Sequence, residues 1–271
     1  GATATARAIQ VQLAARQGAI IPFIAETGGI NAMIVDSSAH PEQAVNDILT
    51  SAFNSAGQRC SALRIVYLQQ EIAPRVIGLL GGALAERQVG DPALLATDIG
   101  PLIHAQAVRQ LNDYCAELAT RAQLLYTLPL PPGLPAGDYF APRIYLLERP
   151  EHLTREVFGP ILHLVLFAPA QLDHVVDTIN RTGYGLTFGI HSRIQARIDA
   201  LATHIHAGNI YVNRSTIGAV VGVQPFGGEG LSGTGPKAGG PHYLYRFATE
   251  VVVSQNVAAT GGNVALLAGQ D

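Results

Sequence analysis

Cys60 stands where a thiol could act as a nucleophile. It lies in the stretch 55–62, SAGQRCSA, directly after a helix-like segment. Gly57 permits a tight turn, Arg59 adds positive charge beside the sulfur, and the small Ser61 leaves room for a substrate. The thiolate is the reactive form of cysteine, and nearby positive charge or aligned backbone N–H groups lower the pKa of a thiol. Cysteine is more often a small apolar filler at such a place, but these neighbours favour a catalytic interpretation.

Glu26 is the candidate general base. It ends an apolar segment and enters a loop in which Gly28 and Gly29 let the backbone pass close to a ligand. A deprotonated carboxylate can take a proton from water during hydrolysis of an acyl intermediate. Taken alone, Glu26 could equally be a solvated turn residue.

The composition limits the classes of protein to which this chain can belong. With 271 residues, 48% hydrophobic and 14% charged, it can build one large or two modest globular domains. The net charge of −3, without clustered Lys and Arg, gives no reason to expect nucleic-acid binding. No apolar run approaches the roughly 20 residues of a membrane helix. We therefore expect a soluble protein with no membrane span.

The cysteines and histidines suggest neither a disulfide framework nor a metal site. Cys60 and Cys115 are the only cysteines, and Cys115 is expected in the core on the apolar side of a helix. His204 and His206 form a His-x-His whose spacing is commonplace on a strand, so metal binding is not expected there. This cysteine usage favours a reducing compartment, the cytoplasm.

The order of predicted elements indicates an α/β fold. Apolar strands alternate with amphipathic helices, which predicts a mainly parallel sheet with flanking helices. A Pro/Gly-rich loop is expected over 129–147. We expect helices over 3–16, 41–56, 72–87, 105–121, 172–182 and 193–205, with Thr3 a possible N-cap, and strands over 19–26, 31–37, 61–69, 160–168 and 208–213.

Five segments, spread from about residue 1 to 250, together resemble the aldehyde dehydrogenase superfamily. They are ETGGIN (26–31), AGQRCSA (56–62), REVFGP (155–160), NRTGYGL (180–186) and PFGGEGLSGTG (225–235). The resemblance implies an aldehyde dehydrogenase-like catalytic domain beside a remnant of a Rossmann-type cofactor domain. It identifies Cys60 with the nucleophile that captures the aldehyde, and Glu26 with the base that activates water against the resulting thioester.

The resemblance also implies NAD as the cofactor. Glu156 corresponds to the residue that binds the nicotinamide ribose hydroxyls, and Phe158 to the residue packed by the nicotinamide ring. Thr3, at a helix N-terminus, and Gly28 are assigned to further cofactor contacts. The Gly-x-Gly-x-x-Gly over 228–233 lacks the preceding strand and following helix of a dinucleotide fingerprint, so it is assigned to the aldehyde side.

The segment GTGPKAGGPHYLYRF (233–247) resembles the glutamate semialdehyde (pyrroline-5-carboxylate) dehydrogenase branch, and above all that domain of bifunctional proline utilization A proteins. The resemblance implies that Gly239 and Gly240 bind the substrate α-carboxylate through backbone N–H groups. It also assigns a hydroxyl contact to Ser61 and packing on the aliphatic chain to Phe247. The implied reaction is oxidation of L-glutamate 5-semialdehyde to L-glutamate. FAD is implied only for a proline dehydrogenase portion ahead of Gly1.

The resemblance divides the chain into three parts: a cofactor-domain remnant at 1–25, the catalytic domain at 26–248, and an oligomerisation strand with a tail at 249–271. The segment TEVVVSQNV (249–257) is the candidate strand for a homo-oligomer. Three alternatives remain open. They are an enzyme for another aldehyde, a noncatalytic module, and a cysteine hydrolase that uses a histidine such as His104, His163 or His191.

Overall fold

The computed structural model describes residues 1–256, 259, 261 and 268–269. Seven strands form one sheet in the order β3-β4-β5-β2-β1-β7-β8, and β6 pairs with β9 in a separate two-stranded sheet. The helices are α1 (Thr3–Ala15), α2 (Pro41–Phe53), α3 (Ala73–Ala85), α4 (Ala105–Leu118), α5 (Leu172–Arg181) and α6 (Gln195–His204). The strands are β1 (Ala32–Val35), β2 (Ile65–Gln69), β3 (Ala122–Thr127), β4 (Arg143–Leu147), β5 (Ile161–Phe167), β6 (Tyr184–Gly185), β7 (Thr187–His191), β8 (Asn209–Val212) and β9 (Glu229–Gly230).

The large sheet is parallel except at one edge, where β3 runs antiparallel to β4. The chain leaves β1 through α2 toward β2, and leaves β7 through α6 in the opposite direction toward β8. Because such crossovers are right-handed, α2 and α6 cover opposite faces of the sheet. This doubly covered, mainly parallel sheet confirms the predicted α/β fold.

The central strands are buried along their whole length because both faces of the sheet are covered. Every residue of β1, β2 and β7 is buried. Helices α2 and α4 each begin at a histidine whose side chain caps the helix. His40 caps α2 by accepting a hydrogen bond from the Gln43 N–H, and His104 caps α4 in the same way from Ala107.

Several expected boundaries are wrong. Residues 19–25 form no strand, since Ile20 is fully exposed and has no sheet neighbour; only Glu26 makes an isolated bridge, to Gly233. The sequence reading missed β3 and β7, and the last five residues of the supposed 129–147 loop are β4. His204 ends α6 rather than lying on a strand.

The two ends of the described chain pack least. No residue of α1 is buried, and Ala2 rather than Thr3 is its N-cap. Residues 249–256 form no strand within the single chain, and Val251–Val253 are exposed. The oligomerisation strand therefore stays a prediction, and most of the predicted tail lies outside the described residues. Within the described ranges, no helix has the length and apolar character to cross a membrane.

Candidate active site

The predicted catalytic residues gather at the amino ends of the parallel strands. Cys60 lies in the turn that leads into β2, and the Glu156–Gly159 segment leads into β5. Glu26 and the loop that follows it lead into β1. Because these strands are neighbours in the sheet, the loops before them meet at one end of the strands and form the candidate site.

The turn that carries Cys60 is an unusual piece of backbone. Three consecutive residues, Ser55, Ala56 and Gly57, have φ values of 55°, 54° and 65°. Such left-handed conformations are costly for residues with a Cβ, so packing must hold the turn in place. A Cβ at position 57 would meet the carbonyl group of Gly159, so only glycine lets the turn approach the Glu156–Gly159 segment.

Asn31 fixes the Cys60 turn to the sheet. Its buried amide donates to the Cys60 carbonyl at 2.7 Å and to the Ala62 carbonyl at 2.8 Å. Its carbonyl oxygen accepts from the Thr187 N–H at 3.2 Å. One side chain thus satisfies three backbone groups, and the thiol's backbone has a defined position relative to β1 and β7.

Arg64 joins the turn that carries Cys60 to the Glu156–Gly159 segment. Its guanidinium is fully buried and donates to the carbonyls of Gly57 (2.7 Å), Arg59 (3.0 Å) and Gly159 (3.3 Å). It also lies 3.5 Å from the Glu156 carboxylate. Burial lowers the pKa of Arg64 to about 10, so the group remains charged at neutral pH. The planar fork of arginine suits this arrangement, in which several acceptors lie in different directions.

The electrostatic setting of Cys60 differs from the one expected. Burial raises the pKa of the thiol, and the negative charges of Glu156 and Glu26 raise it further. The N–H groups of Ser61 and Cys60 offset part of this effect. Arg59, expected to activate the thiol, is not among the charges that act on it, and its Nε donates to the Ser55 hydroxyl at 2.9 Å. The same two N–H groups are candidate donors to the oxyanion that forms when the Cys60 sulfur bonds to a carbonyl carbon.

Glu26 has the properties of a carboxylate available for proton transfer. Burial raises the pKa of Glu26, opposed by the Gly228 N–H and by the positive charges of the Gly1 amine and Lys237. Its Oε1 is buried and has no hydrogen-bond partner among the described residues. A buried acceptor of this kind is free to bind a water molecule.

Glu156, Gly28 and Phe158 form a second part of the same site, in which Glu156 supplies a carboxylate. The Glu156 Oε1 is buried and accepts no protein hydrogen bond within the described residues, while burial raises the pKa of the carboxyl. A Cβ at Gly28 would fall on this carboxylate, so glycine leaves it open. Phe158 packs 5.2 Å from the Arg64 guanidinium and remains 45% exposed. A carboxylate that Gly28 leaves open, paired with Arg64 at 3.5 Å and standing beside an exposed aromatic ring, fits a sugar hydroxyl and a planar ring, as a nicotinamide nucleoside requires.

Ser61 and Thr3 are held by contacts of their own. Ser61 is buried directly after the thiol, and its carbonyl accepts from Thr216 (3.1 Å) and Thr187 (3.4 Å). Thr3 donates its hydroxyl to the Leu231 carbonyl at 3.1 Å. The Gly1 amine donates to the Glu26 carbonyl at 2.8 Å, which places the start of α1 beside the base.

The predicted carboxylate anchor is a turn in this structure. Gly239 has a φ of 70°, in the left-handed region that favours glycine. The Gly240 N–H donates to the Lys237 carbonyl at 3.1 Å, so an anion would have to share or replace this hydrogen bond. Phe247 is 71% exposed, with its ring against Tyr243.

The three histidines of the hydrolase alternative have structural roles. His163 is fully buried between the Tyr114 hydroxyl (2.8 Å) and the Arg64 carbonyl (2.7 Å), and burial lowers its pKa to about 4. His191 is buried 3.4 Å from Asp47, also with a pKa lowered by burial to about 4. His104 caps α4. These contacts disfavour a cysteine–histidine hydrolase.

Sequence reasoning missed Asn31 and Arg64. Each left a signal, since a polar or charged side chain stands directly before an apolar strand, where burial demands a specific partner. Arg64 in particular precedes β2 by one residue and lies in no exposed turn.

Comparison with known proteins identifies the family of the chain. Residues 1–253 match the aldehyde dehydrogenase family. The bifunctional protein PutA of Escherichia coli K12 is 50% identical over 255 residues, which are 91% of this chain and 19% of that protein. The chain thus spans about a fifth of that relative.

Solved structures agree in fold. A crystal structure of bifunctional proline utilization A has a TM-score of 0.92 and 55% identity, covering 96% of this chain and 26% of that one. A 1-pyrroline-5-carboxylate dehydrogenase from Thermus, solved with bound NAD, has a TM-score of 0.84 and 32% identity, covering 91% and 48%. With both the sequence match and the shared fold in place, the chain belongs to the aldehyde dehydrogenase family.

Proposed function

We propose that this chain supplies the thiol, the general base and the substrate anchor of an NAD-dependent enzyme that oxidises L-glutamate 5-semialdehyde to L-glutamate. The observation that carries the proposal is the pairing of Cys60 with Glu26. The Glu26 charge acts on the Cys60 thiol, and the Glu26 Oε1 is buried without a hydrogen-bond partner among the described residues. The sequence likeness to PutA and to 1-pyrroline-5-carboxylate dehydrogenases supports the choice of substrate.

The first step is capture of the aldehyde. The Cys60 sulfur, as thiolate, forms a bond to the aldehyde carbon, and the negative charge moves to the aldehyde oxygen. The N–H groups of Cys60 and Ser61 are the nearest donors to this oxyanion. Asn31 and Arg64 keep these donors in place because they hold the carbonyls on both sides of the turn.

Nicotinamide dinucleotide, when bound, accepts the hydride that leaves this carbon. Glu156 would hold its ribose hydroxyls, Phe158 would pack on its ring, and Thr3 and Gly28 would lie along its path. Gly28 leaves the Glu156 carboxylate uncovered for this purpose.

The second step is hydrolysis of the acyl group on Cys60. A water oxygen bonds to the acyl carbon, its proton passes to the Glu26 carboxylate, and the carbon–sulfur bond breaks. The products are the free carboxylate and the Cys60 thiolate. The raised pKa of Glu26 suits this proton transfer, since a more basic carboxylate takes a proton from water more readily.

The test compares NADH formation from glutamate semialdehyde and from a plain aliphatic aldehyde of similar length. Both are assayed with this chain alone and with a longer chain that adds the region ahead of the match in the PutA relatives. We expect turnover of glutamate semialdehyde in the longer chain, with Ser61→Ala and Gly240→Ala raising its KM about tenfold or more. Equal KM changes for both aldehydes would reject the carboxylate anchor, and no turnover of either would favour the noncatalytic alternative.

A further inference from the structure

Lys237 stands out among the cations of this chain. Of the 17 lysines and arginines, 16 are arginines, and Lys237 is the only lysine. It lies in the loop over 225–240, which folds around Glu26. Phe226 and Ala238 form an antiparallel bridge that closes this loop, and Gly233 forms another with Glu26. The sole lysine is therefore carried by the loop that surrounds the proposed base.

Gly227 lies close to both the Glu26 carboxylate and the backbone of Lys237. A Cβ built on Gly227 would lie 2.7 Å from the Glu26 Oε1 and 3.3 Å from the Lys237 Cα. No side chain stands between them at this point, because position 227 has none. The part-buried ammonium donates a hydrogen bond to the Gly208 carbonyl, so its charge has a fixed place.

Among the described residues, one other charge faces Glu26 from a different element: the Cys60 sulfur, in the turn before β2, is negative when ionised. Burial raises the pKa of Glu26, and Lys237 opposes that rise. Without Lys237, the carboxyl would stay protonated to a higher pH.

We propose that Lys237 is a positioning residue for Glu26: its ammonium, held on the Gly208 carbonyl by the loop that surrounds Glu26, keeps the Glu26 carboxylate ionised for hydrolysis of the acyl-Cys60 intermediate. This inference rests on the proposed function. Lysine suits the task because its ammonium is a compact point charge that needs only one or two acceptors, whereas the arginine fork demands several.

The test isolates the hydrolytic step, which needs no dinucleotide. p-Nitrophenyl acetate acylates Cys60 by forming the carbon–sulfur bond and releasing p-nitrophenolate. Water then hydrolyses the acetyl group, and acetate leaves. The longer chain of the activity test is acylated in a single turnover, and deacylation is followed by mass spectrometry from pH 5 to pH 9. The variants are Lys237→Met, Lys237→Arg and Glu26→Gln, with Arg75→Met as the control for loss of one exposed charge.

We expect Lys237→Met to move the midpoint of the deacylation profile upward by roughly one pH unit. Lys237→Arg restores the profile because it retains the charge, and Arg75→Met does not shift it, since Arg75 pairs with Glu42 on the surface. If Lys237→Met melts early, Lys237→Gln replaces it, because its amide can still donate to Gly208.

The outcomes separate the two proposals. If wild type forms the acyl-enzyme and Glu26→Gln slows deacylation, but the Lys237→Met profile coincides with wild type, the role of Lys237 is rejected alone. If wild type forms no acyl-Cys60, or Glu26→Gln deacylates at the wild-type rate, the proposed mechanism falls and the inference falls with it.

Discussion

Asp36, at the carboxyl ends of the parallel strands, and the two glutamates at their amino ends have opposite environments. At the carboxyl ends of β1 and β7, Asp36 is buried, and its oxygens accept hydrogen bonds from the Ser38 and Ser192 hydroxyls and from Arg197. Burial alone would raise the pKa of Asp36, but these donors together lower it below its ordinary value. At the amino ends, the buried Oε1 of Glu26 and that of Glu156 accept no hydrogen bond from the described residues, although Arg64 lies 3.5 Å from the Glu156 Oε1, and the pKa values of both carboxyls are raised.

This contrast distinguishes a carboxylate that stabilises the fold from carboxylates that are available to a ligand or a reaction. A carboxylate whose oxygens are all occupied stabilises the fold but offers nothing to a substrate. A buried carboxylate with an unused oxygen carries a free-energy cost, which is retained where a ligand or a reaction uses that oxygen. Under the proposed function, the reactive end of this sheet is the amino end, although ligands in open α/β sheets more often bind at the carboxyl ends.

The largest expected effect comes from Cys60→Ala. Removal of the sulfur prevents the covalent capture step, so aldehyde oxidation in the longer, cofactor-binding chain should fall by on the order of 10⁴-fold or more. Steady-state NADH formation measures this effect. Cys115→Ala is the matched control, because Cys115 is buried in α4 and should leave the rate unchanged. Retained turnover in Cys60→Ala would exclude the covalent mechanism.

Glu26→Gln should have the next largest effect. The amide cannot take a proton from water, so steady turnover should fall about 10²-fold while the initial NADH burst stays near one per site. Stopped-flow absorbance separates the burst from the steady phase. An equal loss of both phases would show that Glu26 acts before hydrolysis and would contradict the assigned role.

Asp36→Asn should change stability rather than catalysis. It removes a charged acceptor from a filled network, so we expect a loss of about 2 kcal/mol in unfolding free energy and less than about a twofold change in kcat. Because the folded pKa of Asp36 is lowered, its contribution is full above the ordinary value of about 4 and is lost as the pH falls through the folded value. Urea unfolding at pH 7 and pH 3 checks this prediction, and a large kcat loss would break the contrast between the two ends.

The sequence predicted the long, periodic elements well and the short ones poorly. The 3.6-residue pattern located α2 through α6 to within a few residues, because amphipathic helices carry their own signal. It missed β7, whose residues Thr187–His191 follow a glycine-rich segment and contain Gly189. The apolar segment 19–26 was wrongly predicted as a strand, because a strand requires a hydrogen-bonding neighbour that sequence does not reveal.

The sequence by itself determined which residues could do chemistry: a cysteine in a tight, small-residue turn, a carboxylate before a glycine pair, and motifs in a family's order. Only the tertiary structure decided which charges and hydrogen bonds act on each of them. Arg59 lies next to Cys60 in the chain yet is not among the charges that act on its thiol, whereas Arg64, Glu156 and Lys237 act from other segments. Local sequence fixes residue type and backbone preference, but pKa and hydrogen bonding depend on burial and on charges that only the folded chain brings together.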